Sequence, residues 1–266
     1  MRKYLRAIII VGWRIIFAYF NWMIRFSKHP KKYSIEKRFD KIHKLSIKVL
    51  KALHVKYDVN GLDEFYKSKK PGENTLIVCN HLSDADPIIM MALAKSPLTF
   101  VAKKESEKFP FVGKVLKSID GIFLDRSDLR QEIKQIMKVQ DMIKNYPNLD
   151  IVIFPEGTRN KNPLSDTLEF KHGSFRPAMK SGSDVAVFSI YGTQRVLSFK
   201  CKNNWNPVEV RYIKTFTPDD YKDKTTPEMA ELTHDMVLKS VNESRIRDKE
   251  LMKELNKRHF DDWLMS

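Results

Sequence analysis

TLIVCNHLSDADP, residues 75–87, joins an apolar run to a cluster of polar side chains. The run TLIVC (75–79) is short and rich in β-branched residues, which suits a buried strand better than a helix. The octet NHLSDADP (80–87) then crowds a histidine, two aspartates and a proline at the strand exit, where such residues make either a turn or a site. Asp86 followed by Pro87 reads as a helix start, with Asp as N-cap and Pro at the first helical position.

Outward from this unit, the chain alternates. KYDVNG (56–61), LTFVAK (98–103), DGIFLD (120–125), LDIVIF (149–154), DVAVFSI (184–190) and VEVRYIKTF (208–216) read as further strands. Helices are expected over residues 87–95, 127–146 and from Pro227 onward, whereas TPDDYKDKTTPE (217–228) is the most loop-like segment. Strands interleaved with helices predict an α/β domain with a mixed, mostly parallel sheet flanked by helices, and in such sheets sites gather at strand ends. The 266 residues, 42% of them apolar, are ample for one core with an appendage. The expected division is an N-terminal helical membrane-associating region, 1–56, and an α/β domain, 57–266.

Charge singles out the appendage. Of a net +15, residues 1–70 hold 18 basic and 5 acidic side chains, and the remainder is nearly neutral. That asymmetry speaks against a nucleic-acid-binding surface and for an anionic partner met by one end of the molecule. The first 26 residues mix Trp13, Phe17, Tyr19, Phe20, Trp22 and Phe26 with Arg2, Lys3, Arg6, Arg14 and Arg25; the longest stretch without a charge is only Ile15–Ile24. A spanning helix wants about 20 mainly apolar residues, and no small-residue cleavage site of a signal peptide follows. An amphipathic anchor lying monotopically or peripherally in the cytoplasmic face of the membrane fits better; the alternative is a helix packed on the core. A second amphipathic helix, 34–54, carries Ile35, Phe39, Ile42, Leu45, Val49, Leu50 and Leu53 in a stripe that either packs on the first helix or enters lipid. Cys79 and Cys201 fit no disulfide or metal spacing and suggest a reducing compartment.

His81 stands five residues before Asp86. A carboxylate folded back over one turn fixes the imidazole tautomer and leaves the other ring nitrogen free as a general base. Taken alone, H-x4-D is too short to outweigh an ordinary capped turn. With NHLSDAD, however, come GIFLDR (121–126), FPEGTRN (154–160) and FKHG (170–173), in that order, and AKKESEKFPFVGKVL (102–116) between the first two. Together these blocks resemble those of the glycerolipid acyltransferases, in particular the bacterial 1-acyl-sn-glycerol-3-phosphate acyltransferases, over roughly residues 75–180.

That resemblance implies transfer of a fatty acyl group from acyl-CoA or an acyl carrier protein thioester to the sn-2 hydroxyl of lysophosphatidic acid, without metal or other cofactor. It implies His81 as base and Asp86 as its orienting partner, with the substrate's own hydroxyl as nucleophile. Lys103, Arg126 and Arg159 match cations suited to the acceptor phosphate. Glu156 and Gly157 fall in the same block as Arg159: Gly157 allows close backbone approach, and Glu156 is placed to position a glycerol hydroxyl or brace an arginine. Lys171 and Gly173 carry a weaker case, and Asp84 reads as a surface or turn residue. Where many relatives have a V-P-V block, this chain has VAVFSIYG (185–192), with Ala186 for the proline, which leaves acceptor and acyl-chain preference open. Two rival readings remain: another acceptor, glycerol 3-phosphate or a lysophospholipid, or a membrane-surface binding protein without catalysis. A hydrolase is disfavoured by the lack of a G-x-S-x-G elbow.

Overall fold

In a computed structural model that describes residues 12–125, 129–198 and 205–257, seven strands form one sheet. They are β1 (Val55–Asn60), β2 (Leu76–Cys79), β3 (Leu98–Lys103), β4 (Ile122–Leu124), β5 (Asp150–Ile153), β6 (Val185–Tyr191) and β7 (Asn206–Phe216), in the spatial order β1-β7-β6-β2-β5-β3-β4. Every pairing is parallel except β6 with β7. The mixed, mostly parallel sheet expected from the sequence is therefore the sheet observed.

Helices cover both faces, which is why every residue of β2, β5 and β6 is buried and β2 is apolar throughout. The elements are α1 (residues 12–28), α2 (Ile35–Ala52), α3 (Leu62–Ser68), α4 (Asp86–Leu93), α5 (Val112–Ser118), α6 (Leu129–Asn145), α7 (Arg176–Ser181), α8 (Pro218–Tyr221) and α9 (Thr226–Lys257). Side chains alternate between the two layers with the period of a strand. Leu76, Val78, Ile151, Ile153, Val185 and Val187 meet α6, α7 and α9. Ile77, Cys79, Val152, Ala186 and Phe188 meet α2, α3, α4 and α5.

Two expectations are corrected here. The stripe of α2 neither enters lipid nor simply meets α1: Phe39, Ile42 and Leu50 are buried in the same cluster as Ile77 and Ile89 of the sheet domain. Segment 217–228 is not a loop throughout, because Thr217 and Asp220 form a reciprocal capping box that starts α8. Short helices α3, α5 and α7 escaped the sequence pattern, being too brief to show a helical period.

The aromatics of α1 divide. Phe26 is buried, and Trp22 and Tyr33 pack on it with ring centroids 5.5 and 4.9 Å away. Trp13, Ile16, Phe17 and Phe20 project into solvent on the opposite face. Among the described residues, no helix is long and apolar enough to cross a membrane. Arg2, Lys3, Arg6 and Cys201 lie outside the described residues.

One buried cation locks α2 to the domain. Arg38 donates from Nε to the Tyr33 carbonyl (3.0 Å), from Nη1 to the Ser118 carbonyl at the end of α5 (2.7 Å) and from Nη2 to Asp120 (2.8 Å). Its removal leaves a carboxylate and two carbonyls short of a donor. We expect Arg38→Ala to lower unfolding free energy by about 3 kcal/mol, read as a lower urea midpoint at unchanged m-value; an unchanged midpoint would contradict this role.

Candidate active site

The carboxyl end of β2 is built by its neighbours. Asn80, fully buried, continues the strand with its side chain: Nδ2 donates to the Ile190 carbonyl (2.9 Å) and Oδ1 accepts the Ile190 amide (2.8 Å). The next residue, His81, donates its amide to Glu156 Oε1 (2.6 Å), and its carbonyl accepts the Asn160 amide (2.7 Å). Its ring stacks on Phe154, just past β5, with centroids 4.3 Å apart and planes 18° from parallel. Backbone and ring of His81 are thus fixed from the segment that follows β5, while β6 holds its neighbour Asn80.

Asp86 completes the turn. Its Oδ2 lies 2.7 Å from His81 Nδ1 and also accepts the amides of Leu82 (2.7 Å) and Ser83 (2.9 Å). The carboxylate is wholly buried, whereas 18% of the His81 side chain remains exposed. With Nδ1–H donated to Asp86, the Nε2 lone pair is left for a ligand, and Nε2 has no partner among the described residues. Asp86 is not the N-cap expected from the sequence. Ala85 takes that position and Asp86 opens α4, so its carboxylate reaches back over the turn.

Glu156 is 3% exposed and both its oxygens are occupied, Oε1 by the His81 amide and Oε2 by the Leu168 amide (3.1 Å). Burial dominates its titration and pushes the carboxyl up to about 7 against the hydrogen bonds that oppose it. Gly157 adopts φ +74°, the left-handed region that favours glycine, and its amide closes a turn on the Phe154 carbonyl (3.0 Å).

A cavity of about 790 Å³ opens beside the imidazole. His81, Lys103, Gly157 and Arg159 line it together, so four of the expected site residues converge on one space. Arg159 is half exposed and pairs with Asp84, the aspartate read as a surface residue, which is 70% exposed. Lys103 sits exposed at the end of β3. Away from these polar groups the wall is apolar, with Ile42, Val49, Met91, Phe100, Val115 and Leu116.

Arg126 lies outside the described residues. Lys171 and Gly173 do not line the cavity. Neither does Ala186, which is buried in mid-strand between Ile77 and Thr215. A proline there would remove a ladder donor from a strand paired on both sides. The sequence reading missed Asn80, Phe154, Ser83 and Leu168; the first two stand at strand ends beside motif residues, which was the available signal, whereas Leu168 acts only through its amide.

Comparison with known proteins follows the same blocks. A family model described as Acyltransferase matches residues 56–191, just over half of the chain. A 1-acyl-sn-glycerol-3-phosphate acyltransferase of Borreliella burgdorferi is 32% identical over 139 residues, 52% of this chain and 52% of the relative. A probable 1-acyl-sn-glycerol-3-phosphate acyltransferase of Mycoplasma genitalium is 31% identical over 206 residues, 72% of this chain and 73% of the relative. The match thus spans about half the length of the first relative and about three quarters of the second. Among solved structures, the 1-acyl-sn-glycerophosphate acyltransferase PlsC of Thermotoga maritima superposes with a TM-score of 0.68 at 20% identity, covering 91% of this chain and 98% of that one, and so shares the fold.

The raised Glu156 carboxyl has a pH signature. Below about 4.5 the group is protonated in folded and unfolded chains alike, and its contribution to stability is complete; as pH rises through about 7 that contribution is lost, because only the unfolded chain ionises freely. Glu156→Gln cannot ionise, so its stability relative to the parent should rise between about pH 5 and about pH 8, by up to about 3 kcal/mol. Urea midpoints across that range test this, and a pH-independent difference would refute it.

Proposed function

This chain belongs to the acyltransferase family, and we propose that it moves a fatty acyl group from a thioester donor to the sn-2 hydroxyl of 1-acyl-sn-glycerol 3-phosphate, giving phosphatidic acid. The observation that carries the reading is the 2.7 Å contact of His81 Nδ1 with a buried Asp86 at the wall of an apolar cavity. An alcohol is a poor nucleophile at neutral pH, and a base within reach must take its proton as it attacks.

His81 Nε2 takes the proton of the acceptor hydroxyl while the oxygen attacks the thioester carbonyl. The tetrahedral intermediate then collapses, the carbon–sulfur bond breaks, and the proton passes from the imidazolium to the departing thiolate. Asp86 holds the ring in the tautomer this requires and stabilises the imidazolium, as the aspartate of a serine hydrolase triad does. No acyl-enzyme is needed, since the substrate supplies the hydroxyl. Arg159 and Lys103, on the same cavity as His81, suit the acceptor phosphate, and the apolar wall suits a fatty chain. The donor thioester, acyl-CoA or acyl carrier protein, is acidic and drawn to a basic chain.

The same reading puts the protein monotopically on the cytoplasmic face of the cell membrane, with α1 and the basic residues that follow it, rather than the whole of 1–56, as its membrane-associating part. Its support is the outward face of α1, where Trp13, Ile16, Phe17 and Phe20 are exposed beside Arg14, Arg25 and Lys28, followed by Lys31 and Lys32. Apolar side chains entering the headgroup region and cations meeting anionic lipid are the two components of interfacial anchoring.

His81→Ala should lower turnover of lysophosphatidate with an acyl donor by about a thousandfold while vesicle binding persists; retained turnover would overturn the mechanism. Replacing Trp13, Phe17 and Phe20 together by serine should release the protein from phosphatidylglycerol vesicles in a sedimentation assay. Undiminished sedimentation would rule out α1 as the anchor.

A further inference from the structure

Helix α9 begins 35 residues beyond the end of the segment that the family model matches, yet it grips the loops from which the site is built. The turn after β6 is one of them. Gly192 enters it at φ +85°, so close to β7 that a Cβ would approach the Pro207 carbonyl to 2.5 Å. Arg195 closes it, donating from Nε to the Gly192 carbonyl (3.1 Å) and from Nη2 to Asp248 Oδ1 of α9 (2.7 Å), with Nη1 on the Met252 sulfur (3.1 Å). The Arg195 and Asp248 side chains are only 11% and 19% exposed.

What this turn carries makes the pair more than a surface contact. The Thr193 carbonyl accepts the Ser83 hydroxyl (3.0 Å), and the Ser83 amide is one of the three donors to Asp86 Oδ2. The residues that follow, Val196, Leu197 and Ser198, line the cavity beside His81. The ion pair therefore ties to α9 a segment that is both a support of the catalytic turn and a wall of the apolar cavity.

We propose that Asp248 is a positioning residue for acyl-chain binding: through Arg195 it holds segment 192–198 in the shape that completes the cavity wall. The inference rests on the reading of this cavity as the acyl-chain site. It assigns a role in specificity to the C-terminal helix, outside the motif blocks. With Asp248 neutralised, Arg195 keeps its Gly192 contact but loses its fixed anchor, so the wall loosens while His81, Asp86 and the Leu82 amide stay together.

The full-length chain is titrated with a fluorescent long-chain fatty acid, and in parallel assayed for KM and kcat with acyl donors of different chain length. Asp248→Asn should weaken probe binding and raise donor KM by about fivefold, the scale on which residues remote from a ligand act through packed contacts, with kcat nearly unchanged. Asp248→Glu, which keeps the charge, should restore most of the affinity, and Arg195→Lys, which loses the planar fork, should resemble Asp248→Asn. A merely structural pair would lower the melting temperature without moving probe affinity measured well below it. Equal probe affinity in wild type and Asp248→Asn, or no binding by the wild type, overturns the inference whatever the turnover. A wild type that binds probe but transfers nothing to lysophosphatidate overturns the proposed reaction instead.

Discussion

One carboxylate oxygen, Asp86 Oδ2, receives the His81 ring and the amides of Leu82 and Ser83 at once, in a place no solvent reaches. A buried carboxylate is tolerated only when hydrogen-bonded, and these donors exist only if the chain from 81 to 86 folds back on itself. The surrounding structure enforces that conformation. Asn80 extends the β2 ladder with its side chain, Glu156 holds the His81 amide, and the Thr193 carbonyl holds the Ser83 hydroxyl. Each comes from a different strand exit, so the turn is assembled by the parallel core β6-β2-β5 rather than by its own six residues.

The same arrangement sets a polar edge against an apolar space. His81, Arg159 and Lys103 stand at the carboxyl ends of the strands, where open α/β sheets gather their ligands. Helices α2, α4 and α5 then continue the cavity with aliphatic side chains and Met91, Phe100 of β3 adds an aromatic one, and Ile15 of α1 contributes one more. Since neighbouring Trp13, Ile16 and Phe17 face outward, α1 lies between the cavity and the surface proposed to meet lipid. Arg38 makes this geometry rigid by tying α2 to the end of α5.

Much of this was legible in the residues. β-branched runs bounded by polar turns placed all seven strands. His81 and Asp86 could be paired because their five-residue spacing spans one turn. What stayed hidden was tertiary. Glu156 matches a motif block, but sequence does not say that both its oxygens are spent on the protein's own amides. Arg159 reads as a free guanidinium until Asp84 is found beside it. The stripe of α2 has the same period whether it faces lipid or a sheet, and only packing decides between them. Asp248 carries no local signal, since its partner Arg195 lies 53 residues away.

In the proposed mechanism His81, held by Asp86, activates the substrate's own hydroxyl, so that donor and acceptor must be bound together when the acyl group moves. Initial rates with acyl donor and lysophosphatidate both varied test it most directly. Intersecting double-reciprocal lines are expected, with no thiol release from the donor in the absence of acceptor. Parallel lines with a burst of thiol before acceptor is added, the kinetic sign of a covalent acyl-enzyme, would contradict it.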